Sequence, residues 1–114
     1  MGRFWATSFF FAARSDKNLE SVCRALQQHY GLPAFEFDVE DTEEYASSSG
    51  HGIGFNVTRT ADYQTIRTWM ETAPDGVNYQ IILNNLDASE TIIEDTQPVL
   101  ARILGTPVTH YHTK

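Results

Sequence analysis

Four groups of residues in this 114-residue chain could do chemistry by type and spacing: a histidine pair, a lone cysteine, a run of carboxylates and a set of alternating glycines. His110 and His112 stand two apart, so on a strand both side chains point the same way and could begin a metal site. A third ligand would have to come from His51 or an acid, and no spacing marks one, so a polar strand end accounts for the pair. Cys23 is a nucleophile by type, but it falls on the apolar stripe of a helical segment, with no histidine at a telling spacing. Core packing accounts for it. Glu36, Asp38 and Glu40 form carboxylate pairs of the kind that general acid–base chemistry uses, yet on an open strand face they are well solvated and poorly placed to hold a proton for transfer. Gly50, Gly52 and Gly54 alternate in Gly-His-Gly-Ile-Gly and lead into a strand, whereas a phosphate-cradling loop leads into a helix. These readings give no catalytic residue, no metal and no cofactor, and the chain is expected not to be an enzyme.

What remains is an anionic, partly aromatic stretch. From Glu36 to Glu44 six of nine residues are acidic (Glu36, Asp38, Glu40, Asp41, Glu43 and Glu44), and Tyr45 follows them directly. Carboxylates so grouped can pair with Lys or Arg on a partner, while a tyrosine beside them offers a partly apolar anchor. These seven residues are the candidate partner-binding surface; the plain alternative is a solvated strand and hairpin.

The elements that must position them follow from the hydrophobic period. Arg3 to Ala13 carries apolar groups on both alternate sets, with Phe4, Ala6 and Phe10 on one and Trp5, Phe9 and Phe11 on the other, which places it inside a sheet. Ser15 or Asp16 caps a helix whose stripe is Leu19, Val22, Cys23, Leu26 and Tyr30, and Gly31 and Pro33 end it. From Ala34 the period becomes two: Phe35, Phe37 and Val39 face the core, and Glu36, Asp38 and Glu40 face outward. Asp41 to Gly50 reads as a mobile hairpin loop, and Ile53, Phe55 and Val57 as the returning strand, whose glycines mark a bulge or a close backbone approach. A second helix begins at Thr60 or Asp62 and buries Tyr63, Ile66, Trp69, Met70 and Ala73. Asn78 to Asn84 is a short buried strand, and Asp87 with Glu90 opens a third helical region that Pro98 should split or kink. Val108 to His112 is an extended tail.

This order predicts a single α+β domain over residues 1–114: an antiparallel sheet with helices packed on it, in the ferredoxin-like βαββαβ order plus a C-terminal helical region. Such a fold covers one sheet face with helices, so the doubly apolar first strand demands a cover for the other: the third helix, a second copy or a partner.

The bulk composition agrees with a small soluble domain. An apolar fraction of 41% and an aromatic fraction of 12% suit a folded core, and no apolar run is long enough to cross a bilayer. A single cysteine and the lack of an export signal point to the cytoplasm. A net charge of −7 has the wrong sign for nucleic acid and suits a basic protein partner.

In size, acidity and this combination of features the chain resembles the small cytoplasmic immunity proteins that bacteria make against contact-dependent inhibition and related polymorphic toxins. The resemblance lies in the strand Phe35-Glu36-Phe37-Asp38-Val39-Glu40-Asp41, the acidic segment through Tyr45 and the lone Trp69 in a short helix. It implies a protein–protein interaction that neutralises a cognate toxin domain, often a basic nuclease, and assigns no individual site residue. The alternative is a small-molecule-binding or enzymatic ferredoxin-like domain, a homodimer through its open sheet face, with a pocket lined by Trp5, Phe9, Phe11 and Trp69.

Overall fold

Strand β1, Thr7–Ala13, lies inside a six-stranded sheet because it is apolar on both sides, and its burial rises along its length. The computed structural model of the chain describes residues 7–40, 43–61, 72–85 and 91–114, with side chains from residue 94 onward in the last segment. The described elements are β1, helix α1 (Leu19–Tyr30), β2 (Glu36–Glu40), β3 (Glu43–Gly50), β4 (Ile53–Thr60), β5 (Tyr79–Asn85), helix α2 (Thr91–Leu104) and β6 (Thr109–Thr113). The sheet runs β2-β3-β4-β5-β1-β6, and every neighbouring pair is antiparallel.

The α+β class and the helix-covered antiparallel sheet are as expected, but the ferredoxin-like order is not. That order seats the first strand beside the strand that follows the acidic segment; here β5 lies between β1 and β4. Nor does the chain close on a helical region, since α2 leads into β6, which takes the expected extended tail into the sheet beside β1.

The cause is the segment read as a mobile loop. Glu43–Gly50 is strand β3, paired along its whole length with β4 and partly with β2. Its Ser-rich sequence has little strand preference of its own. Pairing on both edges supplies what propensity lacks: Ala46 is buried opposite Val57, and Ser48 Oγ donates to Pro33 O at 2.6 Å. The β3–β4 connection is His51-Gly52, both at positive φ (56° and 82°), the backbone of a tight two-residue hairpin turn. Gly50 marks a close approach, because a Cβ there would sit 3.1 Å from Pro33 Cδ.

Both described helices pack on one face of the sheet. Leu19, Val22, Cys23 and Leu26 of α1 and Leu100 and Leu104 of α2 meet Phe9, Phe11, Phe55, Val57, Tyr79, Ile81 and Leu83 in one core. The α1 cap is Asn18, whose Oδ1 accepts from Ser21 N at 2.8 Å, and not Ser15 or Asp16. Ser15 instead ties the chain together: its Oγ donates to Leu104 O at 2.6 Å and its backbone is paired with the Asn78 amide. Gly31 ends α1 in the left-handed conformation, as its position suggests. Helix α2 runs unbroken through Pro98, so of the two expected outcomes, a split or a kink, the split does not occur. On the opposite sheet face Ala12 packs on Ala73 and Val77, with Tyr111 against them, so the chain's own segment around 73–77 contributes to the second cover. The second helix expected between Thr60 and Ala73, and the capping residues Asp87 and Glu90, fall mainly outside the described residues.

Candidate functional site

The acidic strand forms as the period of two requires, but at the rim of the sheet. All five residues of β2 are exposed, including Phe37 at 52% and Val39 at 67%, so the reading of these two as core is wrong. Only Phe35, just before the strand, is buried. The reason is the position of α1, which packs over β3 and β4 and leaves the helix-side face of β2 uncovered. Between α1 and β2 lies a groove of about 440 Å³ lined by Leu19, Cys23, Ala34, Phe35, Phe37 and Val39, among others.

Cross-strand register divides the seven candidate residues. Asp38 pairs with Tyr45 and Glu40 with Glu43, so Glu36, Asp38, Glu40, Glu43 and Tyr45 share the sheet face turned away from α1. Glu44 lies opposite Val39 on the other face and is held by Arg59, with Nη1–Oε2 at 2.9 Å. Asp41 lies outside the described residues. The single docking face of six carboxylates is therefore four described carboxylates on one side of the β2–β3 pair and one on the other.

No ion pair within the described residues neutralises the four. The two ion pairs found there are Arg59–Glu44 and the exposed helical pair Arg24–Glu20, at 2.7 Å. Glu40 and Glu43 stand directly opposite each other, an arrangement that opposes strand pairing. The Tyr45 hydroxyl donates to Glu43, and that hydrogen bond, with the nearby charges of Glu40 and Asp38, pushes its pKa up to about 12. Tyr45 is thus a neutral hydrogen-bond donor at physiological pH, anchored beside the carboxylates.

The other candidates lose their chemical readings on geometry. A bulge between Phe10 and Phe11 shifts the β1–β6 register, so that His112 stands opposite Phe10 and His110 opposite Phe11. The His110 ring then packs on Phe9 and Phe11, at 6.0 and 5.3 Å between centroids, and the His112 ring on Phe10 at 5.2 Å. Phe9 and Phe11 belong to the helix face and Phe10 to the other, so the histidines do not point the same way. Cys23 is 1% exposed and burial pushes its thiol up to about 12, which keeps it protonated and a poor nucleophile. Phe9 and Phe11, 2% and 0% exposed, are core residues; Trp5 and Trp69 lie outside the described residues.

Sequence reasoning missed the exposure of Phe37 and Val39, and a signal for it existed. A short strand with a charge at every second position is the pattern of a protected sheet edge, which pairs on one side only. Comparison of the chain with protein-family models, with curated proteins and with solved structures finds no match.

Proposed function

We propose that this chain is an immunity protein that neutralises a cognate toxin domain, and that it holds a basic face of that toxin on the β2–β3 corner. The observation that carries the reading is the Glu40–Glu43 opposition, with Glu36 and Asp38 on the same face and, among the described residues, no cation in an ion pair with any of the four. A surface selected only for stability would set opposite charges across such a pair, each worth a fraction of a kcal/mol. Retaining like charges there costs the fold a little and suits a partner that supplies the missing cations. The toxin as the partner rests on the resemblance in size, acidity and strand pattern. No observation favours the small-molecule alternative, whose aromatic residues Phe9 and Phe11 are enclosed.

The test uses the Asp38→Lys/Glu40→Lys double variant beside the wild type, both checked by circular dichroism. Affinity capture from the native cell should retain a basic protein on the wild type that is lost or weakened roughly tenfold or more on the folded variant. Co-expression of the wild type should rescue cells that make that protein, and the variant should rescue them poorly. Equal capture by both would remove this surface from the function.

A further inference from the structure

We infer that the partner docks by adding an extended segment to the open edge of β2, with basic side chains at alternate positions on one side and apolar ones on the other. The inference rests on the proposed reading of the β2–β3 corner as the docking surface and specifies its occupant. Hydrogen-bond direction can be followed across the whole sheet. Ser8 exchanges backbone bonds with Lys114 (2.9 and 2.8 Å), so its groups face β6 and those of Phe9 face β5. Carried through the one-to-one registers of β5, β4 and β3, the same alternation points the main-chain groups of Glu36, Asp38 and Glu40 at β3. It leaves those of Phe37 and Val39 on the outer edge. The Val39 N–H agrees: it donates to Asp38 Oδ1 at 2.9 Å, a local bond that occupies the donor on an edge with which no described strand pairs.

An incoming strand would therefore meet two outward residues whose side chains stand over the groove beside α1, flanked by three carboxylates on the opposite face. Its residue facing Asp38 would occupy a non-hydrogen-bonded position, where cross-strand side chains approach most closely, and a Lys or Arg there fits. Residues facing Phe37 and Val39 would lie over the apolar groove. A second copy of this chain is excluded by the same parity. Pairing β2 with β2 of a copy about a two-fold axis sets Glu36, Asp38 and Glu40 against one another in every register that keeps the faces aligned. The other sheet edge is less inviting, because His110 and His112 pack on β1 aromatics and the Tyr111 hydroxyl accepts from Gln80 Nε2 at 2.7 Å.

The probe is a capped peptide of alternating Lys and Val long enough to span β2, with two comparison peptides: one N-methylated at the residues that would pair with Phe37 and Val39, the other with Lys and Val segregated in blocks. The intact protein should bind the alternating peptide at least tenfold more tightly than either comparison peptide, and exchange of the Phe37 and Val39 amides should slow on binding. Val39→Pro removes an outward N–H without touching the β3 ladder or any charge, and should weaken binding at least tenfold. If it unfolds the protein, the N-methylated peptide carries the same test. Binding that survives Val39→Pro and N-methylation but is lost in Asp38→Lys/Glu40→Lys overturns strand addition and leaves the docking surface standing. Binding indifferent to all of these, or absent for every peptide, overturns the inference, and binding indifferent to the charge reversal also counts against the docking surface. A dimer in sedimentation that Val39→Pro dissolves would identify a second copy as the occupant and overturn it too.

Discussion

Glu40 and Glu43 face each other across a strand pair in which all five β2 residues are exposed, so their repulsion acts on the least buried part of the sheet. Replacing Glu40 by Lys turns a like-charge pair into an opposite-charge one. The expected result is a gain of about 0.5 kcal/mol in urea unfolding at low salt, shrinking as salt is added, together with weaker binding of the basic partner. A gain in stability with unchanged binding would show that the opposition serves no docking role. Glu36, Asp38 and Glu40 were legible in the sequence as one face because a period of two fixes which side chains share a strand face whatever the neighbours do, whereas Glu43 joins them only because residues 43–50 pair as a strand. The exposure of Phe37 and Val39 was signalled only by the alternating charges of an edge strand, because it depends on where α1 lies, which Phe35–Glu40 alone does not fix. The separate face of Glu44 was not legible for a related reason: once residues 43–50 pair as a strand, its place in the alternation puts it beside Arg59.

At the scale of elements, β1, α1 and β5 could be read directly because each carries its own pattern and its own stops. Strand β3 could not, since its Ser47-Ser48-Ser49-Gly50 sequence is strand only by virtue of its pairing with β4 and, at Ser47, with β2. Helix α2 is the converse case, with a strong local breaker overruled by packing. Pro98 is exposed and has no N–H to return to Glu94, yet Leu100 and Leu104 beyond it are buried against β1, and the C-terminal carbonyl of Leu104 is held by Ser15. Burial of two leucines is worth about 3–6 kcal/mol, enough to outweigh a proline cost near 3 kcal/mol. Pro98→Ala should therefore stabilise the protein by roughly 1–3 kcal/mol, the proline cost less the entropy the proline removes from the unfolded chain. Urea unfolding measures this directly. A loss of stability would mean that the helix needs the proline, for example to bend onto the sheet.

For the whole molecule, the core holds ionisable groups that the fold keeps neutral, and this sets an alkaline limit. Burial pushes the Cys23 thiol from 9.0 to about 12, and burial first, with smaller charge effects, pushes the Tyr79 hydroxyl from 10.0 to about 12. Tyr79 also donates to Lys17 O, which links the sheet to the entry of α1 and is lost if the phenol ionises. In the unfolded chain both groups release their protons near their ordinary values, so between pH 9 and 12 the folded state binds more protons than the unfolded one. Stability is then flat below about pH 9 and falls as pH rises above it, by up to about 1.4 kcal/mol per unit for each group in its window. The urea midpoint measured from pH 7 to 11 should bend downward near pH 9. In Cys23→Ala, which is less stable throughout because it leaves a small void, the bend should move to near pH 10, where tyrosine alone begins to act. The comparison rests on the position of the bend and not on absolute stability, so the void does not confuse it. An unchanged bend in the variant would mean that Cys23 ionises alike in both states. A flat profile to pH 11 would mean that Tyr79 does so as well, and that the core around them admits water.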